Sequence, residues 1–158
     1  MPIHAWFTAL GDSPLGHAMQ TSKWDFALVE MVHLLALAIL GGAVLITDLR
    51  LLGVILKDTS HRLVGRDLGR LVLGSLTVMV ITGIALLSEE AGKCYYSPAF
   101  RLKMAFLLAA LLFHTTLHRW ALVRSDKHGP SIWSRSAALM SMGLWLGVGI
   151  GGRAIGLL

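Results

Sequence analysis

Glu30 and His33 stand one helical turn apart inside one apolar run, and His114 and His118 stand four residues apart inside another. Residues three or four apart share a helix face, so each run gathers its ionisable groups on one side. Such groups are costly in hydrocarbon and need a partner or a task. Neutral imidazole can bind haem iron, accept a hydrogen bond or carry a proton. At 1.5 Å per residue His33 falls about 16 Å below Ser22, and His114 about 16 Å below Lys103 if that lysine reaches out to an interface. Equal depth on two helices suits axial ligation of one b-type haem by His33 and His114, with His118 as the alternative to His114. Gly41, Gly42 and Gly83 would leave room for the flat macrocycle. Arg153, Arg50 or Lys103 would meet its propionates. Covalent c-type attachment is excluded, because it needs two cysteines and Cys94 is the only one.

Other chemistry fits these residues less well. Glu30-x-x-His33 is half of the carboxylate-bridged di-iron pattern of helical bundles, but no second copy exists, since Glu90 is followed at that offset by Lys93. Glu30 is better placed to tune His33 or relay a proton. Asp48 and Arg50 read as an ion pair or topology anchor at the end of the first run. Cys94, beside Tyr95 and Tyr96, reads as an interfacial aromatic belt or a docking or quinone site.

The elements that must position these groups are membrane helices. Of 158 residues 55% are hydrophobic and 15% charged, and the mean hydropathy is +0.69, too apolar for a soluble domain of this size. The run from 26 to 47 would make about 33 Å of helix, enough for a bilayer core of roughly 30 Å. Further runs follow at about 68–87, 100–123 and 132–153, the first helix extending over about 24–56. Short links between them predict an all-α, antiparallel four-helix transmembrane bundle. Residues 1–22 read as an amphipathic segment on the membrane surface, with no cleavable signal peptide. The formal charge of +5 resides in the links and helix ends, not in a patch with interleaved aromatics, which argues against nucleic acid. Nine Lys and Arg flank the links around 61–70 and 124–130, against five on the other side. The positive-inside rule then puts both termini outside an inner membrane, in the periplasm. Gly143, Gly147 and Gly151 repeat every four residues, a spacing that admits another helix, a flat ligand or a second copy of the chain.

Several short motifs carry a resemblance. Glu30-Met-Val-His33, Asp48-Leu-Arg50-Leu-Leu-Gly53, Thr82-Gly83, the run from Ser97 to Lys103, Ser141 with Trp145, and Gly152-Arg153 together resemble a family of small bacterial four-helix membrane proteins of unknown function, over residues 24 to 156. That resemblance implies the four-helix fold and weight on Glu30, His33, Asp48, Arg50, Lys103 and Arg153. It implies no reaction. More distantly the layout is similar to membrane b-type cytochromes, with a histidine complement short of the two-haem kind. The expected function is electron transfer through one haem b, with quinone or a membrane or periplasmic redox protein as partner. The alternatives are a haem-free membrane anchor or assembly subunit, and a small proton or solute transporter built on Glu30 and His33.

Overall fold

The computed structural model describes residues 2–56, 60–128 and 131–155, and every regular element among them is helical. Two short helices, α1 (Pro2–Gly11) and α2 (Pro14–Thr21), precede α3 (Lys23–Leu52). There follow α4 (His61–Glu89), the short α5 (Ala91–Tyr96) and α6 (Pro98–Phe113). A π-helical turn, His114–His118, joins α6 to α7 (Arg119–His128), and α8 (Ile132–Ile155) ends the described chain. Four helices are long and apolar enough to cross a membrane: Lys23–Leu52, Leu63–Glu89, Pro98–Ser125 and Ile132–Ile155. The protein is a multi-pass membrane protein.

Local chemistry sets the ends of these helices. The Ser22 hydroxyl accepts the Asp25 N–H at the start of α3, and Ser97 with Pro98 at the first helical position starts α6. At the other end of α3 Gly53 takes φ +77°. Its N–H donates to the Arg50 carbonyl and the Val54 N–H to the Leu49 carbonyl, both at 3.0 Å, a left-handed cap that stops the helix four residues short of the expected Leu56.

The basic stretch from 61 to 70, expected as a link, is instead the first turns of α4. Ser60 caps it by accepting the Leu63 N–H, and arginine is a good helix former. Val64 is buried, and Gly65 admits Leu122, whose Cδ1 would lie 2.7 Å from an added Cβ. The N-terminal segment is two helices, and the expected loop around Cys94 contains α5. Gly129 and Pro130, read as part of the second basic link, lie outside the described residues.

In the bundle α3 packs on α4 and α8, α6 packs on α8, and α7 packs on α4, so α3 and the α6–α7 rod are diagonal and run in the same direction. Small side chains bring α3 close to α4: Ala36, Leu40, Ala43 and Val44 are buried with Val72 and Met79, and Trp145 of α8 packs against them. Outward, Leu35, Leu73, Ile81, Leu108 and Leu146 are all more than 60% exposed, a surface suited to lipid chains and not to water. Two glycines of the repeat are used inside the chain. An added Cβ at Gly147 would lie 2.7 Å from Phe106, and one at Gly151 would lie 3.1 Å from Lys103 Cβ, so α8 meets α6 along this stripe. Only Gly143 of the three has nothing within 4 Å.

Candidate functional site

A cavity of about 380 Å³ opens among the four long helices at the end where α3 begins, within the roughly 300–1,000 Å³ usual for small-molecule sites. Glu30 and His33 reach it from α3, Gly83 from α4, Lys103 from α6, and Gly152 and Arg153 from α8. Its remaining walls are mostly apolar, among them Leu37, Met79 and Val148. The helix α1 closes over one side. Phe7 is buried against Ala91 and Cys94, with Leu87, Phe100 and Ile155 packed around them, and of these Leu87, Cys94, Phe100 and Ile155 also line the cavity. Tyr95 and Tyr96 stack edge-on with one another and with His4 beside this contact, so they form an aromatic cluster under α1. Burial, and after it the Glu90 carboxylate, push the Cys94 thiol above its ordinary range.

Thr82 holds the His33 ring. Its Nδ1 is 2.8 Å from Thr82 Oγ1, and that hydroxyl lies 2.7 Å from the Val78 carbonyl, to which it donates. A hydroxyl has one hydrogen: with it on the Val78 carbonyl, His33 Nδ1–H donates to Thr82 and Nε2 keeps its lone pair. No described residue hydrogen-bonds that nitrogen. The neighbour Gly83 gives the ring its room: a Cβ there would sit 3.5 Å from His33 Cε1. Lys103 crosses the opposite wall with its Cε and Nζ 3.6 Å from where a Gly152 Cβ would be. Among the described residues no carboxylate lies within ion-pair distance of its amine.

A second polar cluster occupies the far end. His118 Nε2 and Asp48 Oδ1 are 2.7 Å apart, and both side chains are fully buried. The His114 ring stacks on His118 with centroids 4.8 Å apart and planes 20° from parallel. Both belong to the π-helical turn, a feature frequent at functional sites because it widens one turn and re-aims its side chains. His114 Nδ1 and His118 Nδ1 are buried without a hydrogen-bond partner, and the buried Ser141 hydroxyl lies beside Asp48. Arg50, two residues beyond Asp48, is buried as well. Among the described residues no three His, Cys, Asp or Glu side chains converge on one ion.

The two sites share one register. Asp48 lies fifteen residues beyond His33 on α3, and His118 fifteen beyond Lys103 on the parallel rod. Asp48 faces His118, and His33 faces Lys103 across the cavity. The structure therefore brings Glu30, His33, Gly83, Lys103 and Arg153 together, and separately gathers Asp48, His114 and His118. It does not bring His33 to His114, which lies eleven residues past Lys103, about 16 Å further along the rod. The level matching His33 on α6 is that of Lys103, so Lys103 does not lie at the same level as Ser22. Gly42 has nothing within 4 Å of an added Cβ and takes no part in the cavity lining. Thr82, which orients His33, is marked in the sequence by the Thr82-Gly83 motif of the resemblance, whereas Phe7, which helps to close the cavity, carries no sequence signal beyond aromaticity.

This arrangement can be set beside known proteins. The model of a family described as "Family of unknown function (DUF6644)" matches residues 9–158. The chain belongs to this family. Its match takes in α2 and all four long helices, and with them both polar clusters. No curated protein and no solved structure matches the chain.

Proposed function

We propose that the protein is a membrane b-type haem protein that passes electrons, with the haem in the cavity and His33 as an axial ligand. The observation that carries this reading is the His33–Thr82 contact: with the Thr82 hydrogen on the Val78 carbonyl, Thr82 takes the Nδ1–H and leaves the Nε2 lone pair at a cavity between four helices. A second partner on the remote ring nitrogen is what a metal-binding histidine requires to fix its orientation. The rest of the donor set agrees. Leu37, Met79 and Val148 offer apolar walls to a flat ring, and Arg153 offers a cation to a propionate. Ligation by His33 and His114 together does not fit, because those residues are separated along the bundle. When bound, haem iron supplies one-electron chemistry at a potential tuned by its ligands and by burial. The chain's own part is to orient His33 through Thr82, to exclude water with Phe7 and the apolar walls, and to hold Glu30 one turn from His33, toward the start of α3, as a proton acceptor.

The proposed setting is the inner membrane with both termini periplasmic, from the Lys and Arg distribution. The cavity is then near the periplasmic face, within reach of a quinone headgroup or a periplasmic redox protein. A proton conduit along the axis is disfavoured by Ala36, Leu40, Ala43, Val44, Val72 and Met79, an apolar layer on α3 and α4 between cavity and Asp48. The test is the absorption spectrum and pyridine haemochrome of detergent-purified protein expressed with ample haem. Stoichiometric haem that disappears in His33→Ala is expected; a colourless protein would end the reading.

A further inference from the structure

The helix α1 contains no Asp, Glu, Lys or Arg, yet Ile3 is 63% and Trp6 54% exposed. We infer that α1 is a lid seated on lipid: its outward side chains lie in the membrane interface, Phe7 on its inner side closes the cavity, and an amphipathic ligand enters beneath it from that interface. The inference goes beyond the proposed function, because it holds for any occupant of the cavity, and its test needs no haem.

Three observations carry it. The first is what surrounds α1. A helix this short is marginal in water on its own, and among its described side chains only Phe7 is buried, so the rest of its apolar surface needs a cover. Lipid is at hand. The helix rests on α5 at the end of the bundle where α3 begins, and there Trp24 and Tyr96 are exposed, the amphipathic aromatics that mark a membrane interface. The second observation is how α1 is attached. Its neighbour α2 is fixed to the bundle: Met19 is buried, and Gln20 Nε2 donates to the Glu89 carbonyl at 3.2 Å and to the Gly11 carbonyl at 3.4 Å. On the N-terminal side of Gly11 the contacts with other helices are apolar and aromatic. Phe7 meets Tyr95 and Phe100 edge-on, with centroids 5.6 and 6.0 Å away, and His4 meets Tyr95 at 5.0 Å. Among the described residues the side-chain hydrogen bond that α1 donates, from Thr8 to the His4 carbonyl, stays within it. Contacts of this kind part without stranding a buried polar group. The third observation is what lifting Phe7 uncovers: Leu87, Cys94, Phe100 and Ile155, which are walls of the cavity. Glu30, Lys103 and Arg153 stand among apolar side chains inside it, so the space takes a molecule with a polar end and an apolar body. Molecules of that kind collect at a membrane interface.

A disulfide can pin the lid. A Cβ at Gly11 would lie 3.5 Å from Ala91 Cβ, within the roughly 3.5–4.5 Å usual for a cystine, so Gly11→Cys with Ala91→Cys should staple α1 to α5. The readout is N-ethylmaleimide labelling of Cys94, located by peptide mass spectrometry, in protein held in lipid nanodiscs. Labelling of Cys94 is expected to be slower by about tenfold or more with the staple oxidised than with it reduced, because a pinned lid removes the local opening through which the reagent arrives. Ile3→Glu sets a carboxylate on the lipid-facing side and lies outside the cluster around Cys94. It is expected to speed labelling several-fold over the wild-type rate, and Ile3→Leu to leave that rate unchanged. Equal rates with the staple oxidised and reduced, or a wild-type rate in Ile3→Glu, would overturn the inference. So would a wild-type dimer that Ile3→Glu turns into a monomer, since the face would then belong to a second copy of the chain.

Discussion

His33 Nδ1 lies 2.8 Å from Thr82 Oγ1, and that hydroxyl lies 2.7 Å from the Val78 carbonyl. With the hydroxyl hydrogen on Val78 the contact runs from histidine to threonine, and it couples a helix-internal hydrogen bond of α4 to the orientation of a side chain on α3. Thr82→Val keeps the shape and removes the acceptor. A buried N–H left unpaired costs about 1–3 kcal/mol, and loss of the partner behind a metal-binding histidine weakens metal affinity by about 10–100-fold. Haem loss to an apoprotein acceptor should accelerate accordingly in Thr82→Val, while Thr82→Ser, which keeps the hydroxyl, should behave as wild type. Equal rates in all three proteins would mean that Thr82 does not orient His33.

The Asp48–His118 contact predicts a different phenotype. Both side chains are fully buried, so removing one leaves the other without its partner in an apolar interior. Breaking a buried pair in this way costs about 3–5 kcal/mol. His118→Ala should therefore lower the thermal midpoint in detergent sharply, yet retain haem in whatever fraction folds, because Asp48 and His118 lie fifteen residues along their helices from His33 and Lys103. His33→Ala should do the reverse, losing haem with little change in the melting of the haem-free protein. If His118→Ala were as stable as wild type but colourless, the roles of the two clusters would be exchanged.

These contrasts show which parts of the site were legible in the sequence. Polar residues inside apolar runs are visible without coordinates, and Glu30, His33, Gly83, Lys103 and Arg153 do meet in one cavity. The four spans were equally legible, because length and hydropathy alone set them. Depth was not. Placing Ser22 and Lys103 at one interface puts His114 level with His33, but α3 begins at Lys23 while Lys103 lies level with His33, a third of the way along α3. An error of about eleven residues in the register of α6 moved His114 up to the cavity. Helix phase also hid the π-helical turn: four-residue spacing predicts that His114 and His118 share a face, but not that one carries a buried carboxylate from α3. The glycine repeat was legible as a close-packing stripe and silent about its partner, which is α6 of the same chain.

Cys94 offers a probe of the cavity wall. It is buried and lines the cavity beside Phe100, and burial with the Glu90 charge raises its thiol above the free value. The thiolate is the reactive form, so a raised pKa means less of it at any given pH. Alkylation by iodoacetamide should be slow at pH 8 and should rise with a midpoint above that of a free thiol. Phe7→Ala, which removes part of the α1 cover, should speed it at pH 8. A wild-type rate at pH 8 matching that of the unfolded chain would contradict the sealed contact among Phe7, Ala91 and Cys94.

The glycine stripe on α8 makes its own prediction, because its members are chemically identical and differ only in what they face. Ala stabilises a helix relative to Gly by about 1 kcal/mol, and at Gly143, with nothing within 4 Å, nothing opposes that gain. At Gly147 the new Cβ would meet Phe106 Cδ1 at 2.7 Å, closer than two carbons can sit. Either the ring or α6 must then move, and overpacking of this kind costs about 1–3 kcal/mol. Gly143→Ala should leave the melting temperature unchanged or raised, and Gly147→Ala should lower it. Gly151→Ala presses on the Lys103 backbone at 3.2–3.3 Å, so it should disturb the haem spectrum more than its effect on melting would suggest. Were the stripe a contact with a second copy of the chain instead, Gly143→Ala would be the variant that changed oligomeric state, and size-exclusion chromatography with light scattering would report it.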